Sequence, residues 1–408
     1  MVPNGWEKTT FGEHIDLLNG FAFKSALYSD DENDIKLLRG DNIEPNKLRW
    51  RDVKRWSKTE YESLEKYHLK ENDFIIAMDR TWITAGLKVA EVKQEDLPCL
   101  LVQRVSRIRS LPTLCQDLIK HHFSSYQFEQ YVKSVQTETA VPHISATQIR
   151  EFGLLLPPLR EQQKIAKILS TWDKAISTTE RLIDNSTQQK KALMQQLLTG
   201  KKRLLDDEGK RFEGEWARQP ISFVADVITG NTPSTKNQEY YGGGKLFVSP
   251  SDLGISKYIL ETTKRLTDLG FSQTRKVPKG SSLFTCIGST IGKLGIAGEE
   301  LATNQQINSV CAKGNNCGEF IYYQLLFHAE QIKGSAATQA VPIINKTNFE
   351  SQLIFSPASL EEQQKIATVL TNADKEIELL DQQLADLQQE KKALMQVLLT
   401  GKKRVVVD

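Results

Sequence analysis

Residues 160–203 read REQQKIAKILSTWDKAISTTERLIDNSTQQKKALMQQLLTGKKR, and residues 361–404 read EEQQKIATVLTNADKEIELLDQQLADLQQEKKALMQVLLTGKKR. The two stretches align without a gap at a constant offset of 201 residues, and roughly half of the aligned positions are identical. Such agreement marks an internal repeat. The chain is therefore expected to contain two copies of one structural plan.

Each stretch predicts a long α-helix. Neither contains Pro or Gly before Gly200 or Gly401, the residue type that ends helices in a left-handed conformation. The helices would span about 40 residues and roughly 60 Å. Alternating steps of four and three residues form a coiled-coil seam. Its apolar members are Ile165, Leu169, Trp172, Ile176, Ile183, Leu193, Leu197, Ile366, Leu370, Ile377, Leu380, Leu384, Leu394 and Leu398.

The polar seam positions predict how the helices pair. Thr179 and Ser186 interrupt the first seam, and Lys190 and Lys391 occupy matching places in the two copies. Either helix would be a poor homodimer, so we expect the two to pair within one chain. Because the ends of a compact domain usually lie close together, the pair should be antiparallel. Unrelated surface helices would leave the repeated KKALMQ and LLTGKKR ends unexplained.

The segments outside the repeat predict two similar α+β domains. Both have short apolar runs between Gly, Asn and Asp turns, typical of strands, followed by a helical period and an AVP tripeptide at 140–142 or 340–342. The predicted boundaries are 1–159 for the first domain, 160–203 for the central helix, 204–360 for the second domain and 361–408 for the C-terminal helix. We thus predict a pseudo-twofold tandem repeat of domain plus helix.

Composition narrows the function classes. The 408 residues are 39% apolar, with no 18-residue apolar run and a polar N-terminus, so a cytoplasmic protein is expected. Five cysteines without a CxxC pair favour reduced thiols over disulfides or a zinc site, Cys311 and Cys317 included. Residues 1–159 carry 21 Lys and Arg against 23 Asp and Glu, and residues 204–360 carry 15 against 15. Bulk charge therefore gives neither domain a nucleic-acid signature.

Several motifs resemble the specificity subunit of type I restriction-modification systems. They are LPPLREQQKIAKIL and KKALMQQLLTGKKR in the repeat, Trp216 after RFEGE, LLRGDNI at 37–43, GSTIGKLG at 288–295 and NQQIN at 304–308. The second copy departs from the pattern, with SPASLEEQ in place of PPLREQ. The resemblance spans essentially the whole chain.

The resemblance implies two target recognition domains held apart by the helices, each reading one half of a bipartite DNA sequence. It also implies that the chain is not catalytic. Methyltransferase subunits would dock along the helices, and restriction subunits, which are motor-nucleases, would complete the complex. The chain itself would need no cofactor or metal, because S-adenosylmethionine, ATP and magnesium are expected on the partner subunits.

Catalytic alternatives find weaker support in the residues. The only Pro-Pro pair, Pro157-Pro158, lacks the Asn or Asp of an adenine methyltransferase turn. The run 288–294 has its glycines too close for a phosphate loop, and Leu294 replaces the required Ser or Thr. Asp79 with Glu91 and Lys93 could form a magnesium nuclease site, although such a match arises often by chance. A coiled-coil scaffold that binds only protein is the main alternative to DNA recognition.

Candidate DNA-binding residues lie in polar loops between the predicted strands. Arg commonly pairs with guanine and Asn or Gln with adenine, whereas Lys, Ser and Thr often hold phosphates. Each residue alone could equally be a solvated loop residue, and Asn42 and Asn304 could cap turns. His143 could pack between segments or contact DNA. The candidates are Arg39, Asn42, Lys47, Arg80, Thr81, Trp82, Lys88 and Gln103 in the first domain and Ser249, Ser251, Lys257, Ser289, Thr290, Lys293, Asn304, Gln305 and Gln306 in the second.

Overall fold

The computed structural model describes residues 2–84, 86–137, 141–336 and 341–407. Ala140 and Ala340 of the repeated tripeptide lie outside these ranges. The chain divides into two compact units: unit 1 is Met1–Glu180 with Gln382–Asp408, and unit 2 is Arg181–Asp381. Each unit thus contains one predicted globular domain, the beginning of one long helix and the end of the other.

The globular part of unit 1 mixes short strands with short helices. Its helices are α1 (Gln116–Phe123), α2 (Tyr126–Val135) and α3 (Ala146–Glu151). Its strands are β1 (Glu7–Thr10), β2 (Ile15–Asn19), β3 (Ile35–Leu38), β4 (Ile43–Glu44), β5 (Lys47–Leu48), β6 (Arg55–Trp56), β7 (Phe74–Ala77), β8 (Trp82–Ile83), β9 (Gly86–Leu87), β10 (Val89–Glu91), β11 (Cys99–Leu101), β12 (Val105–Ser110) and β13 (Gly153–Leu156).

Nine of these strands form three sheets, and the pairs β4-β5 and β8-β9 form two more. A four-stranded sheet has the order β10-β7-β12-β2, a three-stranded sheet has the order β11-β3-β6, and β1 pairs with β13. β3 and β11 are parallel, whereas the four-stranded sheet is antiparallel. The helical period predicted in the first domain forms two helices, α1 and α2. The Ser125 hydroxyl accepts a hydrogen bond from Phe128 N (3.2 Å) and caps the start of α2.

Unit 2 repeats the arrangement. Its globular helices are α4 (Ile221–Val224), α5 (Asp268–Ser272), α6 (Gly318–Phe327), α7 (Ala329–Gly334) and α8 (Lys346–Glu350). Its strands are β14 (Trp216–Pro220), β15 (Ala225–Thr229), β16 (Tyr241–Val248), β17 (Tyr258–Ile259), β18 (Lys264–Leu266), β19 (Lys276–Val277), β20 (Ser282–Thr285), β21 (Leu294–Ala297), β22 (Leu301–Thr303), β23 (Ile307–Ala312) and β24 (Leu353–Pro357).

The main sheets of unit 2 contain those of unit 1 with one strand added to each, β17 and β19. The order β21-β20-β23-β15 corresponds to β10-β7-β12-β2, with β17 added at one edge. Strands β16 and β22 are parallel, as are β3 and β11, and β14 pairs with β24 as β1 pairs with β13. The α+β class and the internal repeat predicted from the sequence are therefore confirmed.

The two repeated stretches form long helices of 39 residues each, Leu159–Leu197 and Leu360–Leu398. We call them the first and second long helices. Gly200 (φ 67°) and Gly401 (φ 68°) follow their ends in the left-handed conformation that glycine adopts without strain. Among the described residues, no helix is long and apolar enough to cross a membrane.

Ion pairs join the beginning of one long helix to the end of the other within each unit. In unit 1, Lys391 pairs with Asp173, and Arg404 Nε and Nη2 lie 2.7 Å from the two carboxylate oxygens of Glu161. From the first pair to the second, the residue number rises on one side (Lys391 to Arg404) and falls on the other (Asp173 to Glu161). The helix segments are therefore antiparallel in this unit.

Unit 2 has the same pairs at positions offset by 201. Lys190 pairs with Asp374, and Arg203 Nε and Nη2 lie 2.5 and 2.8 Å from the carboxylate oxygens of Glu362. Each lysine of the predicted seam thus meets a carboxylate on the facing helix instead of an apolar side chain. These pairs explain how a coiled-coil seam tolerates a lysine.

The seam residues lie on the inner side of each helix pair. Ile165 and Leu169 are buried in the main core of unit 1 together with Leu398, and Ile366 and Leu370 are buried in that of unit 2 with Leu197. The remaining seam residues are half-buried, namely Trp172, Ile176, Ile183, Leu193, Ile377, Leu380, Leu384 and Leu394. The residues near the ends of the long helices therefore form part of the globular cores.

Candidate nucleic-acid interface

Three loops of unit 1 meet at one edge of its sheets, and we call the described residues 39–42, 79–84, 86–88 and 102–104 the loop cluster of unit 1. The strands fix their positions. Val102 N donates to Leu38 O (3.2 Å), Met78 N donates to Arg104 O (2.8 Å), and Ala77 N donates to Lys88 O (3.0 Å). A Cβ atom placed on Gly40 would lie 3.9 Å from Lys88 Nζ, so the first loop also reaches the second.

Asp79 anchors the tip of this cluster. His143 Nδ1 lies 2.6 Å from Asp79 Oδ1, and Arg104 Nη1 lies 3.5 Å from the same oxygen. Arg80 N donates to Pro142 O (2.7 Å), which attaches the turn to the segment preceding α3. The backbone of the tip is thereby fixed, while the side chains of Arg80 and Arg104 remain exposed.

Cations outnumber carboxylates in the unit 1 cluster. It contains Arg39, Arg80, Lys88 and Arg104, against Asp41 and Asp79. Burial lowers the pKa of the Lys88 ammonium, and the Asp41 carboxylate opposes that change by favouring the charged form. The cluster therefore has an excess of two positive charges, although the first domain as a whole is slightly acidic.

The equivalent loops of unit 2 are 249–252, 287–293 and 304–306, which we call the loop cluster of unit 2. Asn304 N donates to Val248 O (3.0 Å), Cys286 N donates to Gln306 O (2.8 Å), and Thr285 N donates to Lys293 O (3.0 Å). These three bonds repeat those of unit 1 at matching positions. The two clusters are therefore structurally equivalent.

The chemistry of the unit 2 cluster is different. Its only charged residues are Lys293 and Asp252, and its other polar side chains are hydroxyls and amides. Gln305 Oε1 accepts a hydrogen bond from Thr232 Oγ1 (2.6 Å), and Asn304 Nδ2 donates to Gln306 Oε1 (3.0 Å). The cationic cluster of unit 1 and the nearly neutral one of unit 2 present different hydrogen-bonding groups on the same scaffold.

Most of the sequence-predicted DNA-binding residues fall within the two clusters. The structure brings together Arg39, Asn42, Arg80, Thr81, Trp82, Lys88 and Gln103 in unit 1, and Ser249, Ser251, Ser289, Thr290, Lys293, Asn304, Gln305 and Gln306 in unit 2. The hydroxyls of Ser249 and Ser251 lie 2.9 Å apart. Arg80, Gln103, Ser251, Ser289, Lys293 and Gln305 are exposed.

Some members of the clusters have structural contacts. Asn42 is buried, and its Oδ1 accepts a hydrogen bond from Arg39 N (3.0 Å), so it closes the turn as the sequence alternative allowed. Thr81 is buried and donates to Ala77 O (2.7 Å). Trp82 is half-buried beneath the Lys133 ammonium, which lies 4.1 Å from its ring centroid. These side chains support the loops.

Two candidates lie outside the clusters. Lys47 is exposed on β5 and pairs with Glu44 (3.3 Å). Lys257 is 8% exposed, and its Nζ donates to Tyr323 Oη (2.9 Å) and Thr371 Oγ1 (2.7 Å). Burial lowers the pKa of the Lys257 ammonium, against the opposing effect of Glu319. Lys257 therefore joins the globular part of unit 2 to the second long helix.

Sequence reasoning did not include Arg104 among the candidates, nor did it assign Asp79 and His143 to one another. Arg104 immediately follows Gln103 and corresponds to Gln306 through the matching hydrogen bonds of Met78 and Cys286. The repeat of the two domains indicates it, because the equivalent Gln306 is itself a candidate. The Asp79–His143 pair joins residues 64 positions apart, and no local pattern indicates it.

The structure does not assemble the alternative magnesium site. Glu91 is the cross-strand partner of Phe74, five residues before Asp79 along the chain. At about 3.3 Å per residue, this places the backbone of Asp79 roughly 16 Å along the chain from the residue opposite Glu91. Asp79 is instead bound to His143, and Glu91 lies 3.9 Å from Lys120 Nζ. Across the described ranges, no group of His, Cys, Asp and Glu residues has the geometry of a metal site.

Comparison with known proteins gives consistent matches. The family model described as type I restriction modification DNA specificity domain matches residues 3–185 and 213–389. The specificity subunit of the type I restriction enzyme EcoAI from Escherichia coli is 35% identical over 182 residues, which are 44% of this chain and 30% of that protein. The EcoBI specificity subunit, also from Escherichia coli, is 25% identical over 331 residues, 74% of this chain and 64% of that protein.

A solved structure shares the fold. The S subunit of the type I restriction-modification system from M. genitalium superimposes with a TM-score of 0.61 at 12% identity, covering 97% of each chain. The chain thus spans less than two thirds of the length of the two sequence relatives described above but nearly all of this structural neighbour. At such low identity, the match shows a common architecture only.

Proposed function

Because the chain belongs to the type I restriction-modification DNA specificity family, we propose that its two loop clusters each read one half of a two-part DNA sequence. The observation that carries this proposal is that one three-loop arrangement is built twice, with different side chains at matching positions. Two equivalent scaffolds with different polar groups suit an asymmetric target. Identical clusters would suit a palindrome.

The side chains of each cluster suit base edges and phosphates. In unit 1, the arginines can donate paired hydrogen bonds to guanine, while Lys88 offers a point charge to phosphate. In unit 2, the amides of Gln305 and Gln306 can pair with adenine, while Ser289 and Lys293 can hold the backbone. Loops on a rigid scaffold are the usual location for such contacts.

The long helices would supply the second part of the function. We propose that they set the spacing between the two half-sites and bind the methyltransferase subunits, and that restriction subunits join the resulting complex in the cytoplasm. The chain would then contribute recognition without catalysis. S-adenosylmethionine, ATP and magnesium would be held by the partners.

The test is to express the chain with its methyltransferase partner in a methylation-free host and to map modified adenines across the genome. We expect a two-part motif with a fixed gap. Replacing residues 1–159 with the corresponding domain of another specificity subunit should change one half of the motif and leave the other half intact. The intact half would then be assigned to the second domain.

Two outcomes would overturn the proposal. A soluble complex that produces no methylation motif would favour the scaffold function, in which the chain binds only protein. A motif whose two halves both change after the exchange would contradict separate reading by the two domains. The unexchanged chain, assayed in parallel, controls for partner activity.

A further inference from the structure

Two arginines, Arg80 and Arg104, have a left-handed backbone conformation that long side chains rarely adopt. Five described residues other than glycine have positive φ angles: Asn46 (63°), Asp52 (51°), Asn72 (67°), Arg80 (47°) and Arg104 (67°). Asn and Asp tolerate this conformation because their short polar side chains bond to the local backbone, whereas longer side chains have no such compensation. Both arginines lie in the loop cluster of unit 1.

The second domain shows that the backbone of this turn does not require arginine. Arg80 N donates to Pro142 O at 2.7 Å, and Gly288 N donates to Pro342 O at 2.9 Å in the equivalent turn. Gly288 has a φ of 85°, which glycine adopts without strain. Glycine would therefore satisfy the geometry of the unit 1 turn, so the presence of arginine indicates a role for its side chain.

The two arginines differ in the availability of their guanidinium groups. Arg104 lies 3.5 Å from Asp79 Oδ1, which His143 also contacts. Arg80 is exposed, and within the part of the chain that the structure describes its guanidinium has no hydrogen-bond or ion-pair partner. Its backbone is fixed at both Asp79 and Pro142. A strained, fixed backbone that bears a free guanidinium is suited to binding an external group.

We propose that Arg80 is a specificity-determining residue that reads a guanine in the half-site recognised by unit 1. This inference rests on the proposed function and identifies one base contact within it. The guanidinium would donate two parallel hydrogen bonds to guanine O6 and N7 in the major groove, a geometry that lysine cannot reproduce. Asp79 and His143 hold the turn from which the side chain extends.

The experiment uses the complex with the methyltransferase partner, after the target of the unaltered chain has been mapped. Duplexes in which each guanine of the unit 1 half-site is replaced in turn by 7-deazaguanine remove the N7 acceptor but keep base pairing. The variants are Arg80→Gly and Arg80→Lys. Asp52→Gly is the matched control, because it relaxes the same backbone conformation outside the loop cluster.

We expect the unaltered complex to lose affinity at least about 5-fold at one particular guanine. Arg80→Gly should weaken binding to the natural duplex by about 5-fold to 150-fold and should be insensitive to 7-deazaguanine at that position. Arg80→Lys should keep only part of the discrimination. Asp52→Gly should behave like the unaltered chain. Arg80→Gly should melt at the same temperature or higher, since glycine fits the turn.

The inference is overturned if the unit 1 half-site contains no guanine, or if Arg80→Gly retains the sensitivity of the unaltered chain at every guanine. It is also overturned if Asp52→Gly loses the same discrimination. Failure of the proposed function has a separate signature, because the unaltered complex would then show no two-part motif at all.

Discussion

In unit 1, His121 Nδ1 lies 4.0 Å from Asp173, and in unit 2, Tyr323 Oη donates to Asp374 Oδ2 at 2.5 Å. These positions are equivalent, because the backbone N–H groups of Cys115 and Cys317, six residues earlier, both donate to a glutamine of a long helix (2.8 and 2.9 Å). The next residues differ as well. His122 Nε2 is buried without a partner among the described residues, whereas Gln324 Nε2 donates to Leu198 O (2.9 Å).

The comparison separates contacts that define the fold from those that each domain can change. The lysine–aspartate and arginine–glutamate pairs between the long helices recur in both units with the same residue types. The interface between the globular part and the helices varies in chemistry, and the loop clusters vary most. A duplicated scaffold can therefore diverge in recognition while its helix pairing stays the same.

The largest expected effect comes from the arginine–glutamate pairs, which resemble each other in geometry but differ in burial. Arg203→Ala would leave Glu362, which is fully buried, without its charged partner. We expect a loss of about 3–5 kcal/mol in the free energy of unfolding. Arg404→Ala should cost less than Arg203→Ala, because Arg404 is more exposed and Trp6 Nε1 would still donate to Glu161 (3.1 Å).

Urea unfolding of the two variants provides the measurement. Arg211→Ala is a suitable control, since Arg211 is exposed outside the long helices. Equal losses for Arg203→Ala and Arg404→Ala would show that burial does not distinguish the two pairs.

The second prediction concerns the loss of stability at acidic pH that His122 causes. Burial lowers the pKa of His122 to about 4, from an ordinary value near 6.5. The folded state favours neutral His122. The contribution of this group to the free energy of unfolding is therefore complete above pH 6.5 and decreases as the pH falls towards 4. The decrease is about 1.4 kcal/mol per pH unit, or about 2 kcal/mol at pH 5. His122→Gln should remove this decrease, and Gln324→His should introduce one in unit 2.

Unfolding free energies at pH 7.5 and 5.0 test the exchange. His122 also lines a cavity of about 230 Å³ that includes Leu154 and Leu399, so there is space for the glutamine amide to adopt a new position. His121, with a pKa that burial lowers to about 3, remains in both proteins and contributes equally. An unchanged pH dependence in His122→Gln would assign the acid sensitivity to other groups.

A smaller effect is expected at the polar network of unit 2. Tyr323→Phe would remove the hydrogen bond to Asp374 and one acceptor of the buried Lys257 ammonium. We expect a loss of about 1–2 kcal/mol in the free energy of unfolding. Tyr322→Phe is the matched control, because Tyr322 is the adjacent buried tyrosine and its ring packs edge to face against that of Tyr323. Thermal unfolding should show a larger decrease in melting temperature for Tyr323→Phe than for Tyr322→Phe. Equal decreases would contradict a network centred on Tyr323.

The sequence predicted those parts of the fold that a periodic pattern or a repeated stretch indicates. The seam spacing and the terminal Gly200 and Gly401 predicted two long helices, and the tandem order predicted two similar domains. The carboxylates that face Lys190 and Lys391 could have been identified by applying the antiparallel pairing residue by residue. Repetition thus carries tertiary as well as secondary information.

The candidate site was less accessible to sequence reasoning. Polar residues in loops indicated the right regions, but burial decided which of them are exposed, as Asn42, Thr81 and Lys257 illustrate. The left-handed backbone conformations of Arg80 and Arg104 could not be predicted, because arginine, unlike glycine or asparagine, does not indicate a positive φ angle. Long-range pairs such as Asp79 with His143 depend on strand register, which the local pattern does not determine.

The smallest expected effect on stability lies in the loop clusters, where Asp79 and His143 of unit 1 correspond to Ile287 and Ile343 of unit 2 through the same antiparallel bridge. His143→Ile would install the unit 2 residue opposite Asp79. Both members of this hydrogen-bonded pair are partly exposed, so its loss should change the free energy of unfolding by at most about 1 kcal/mol. If the pair serves to hold the turn of Arg80, however, discrimination at the guanine read by that residue should fall several-fold. Measuring unfolding and 7-deazaguanine sensitivity on the same variant separates the two roles. A stability loss well above 1 kcal/mol with unchanged discrimination would mean that the pair serves folding, and that the loop clusters differ in structure as well as in recognition.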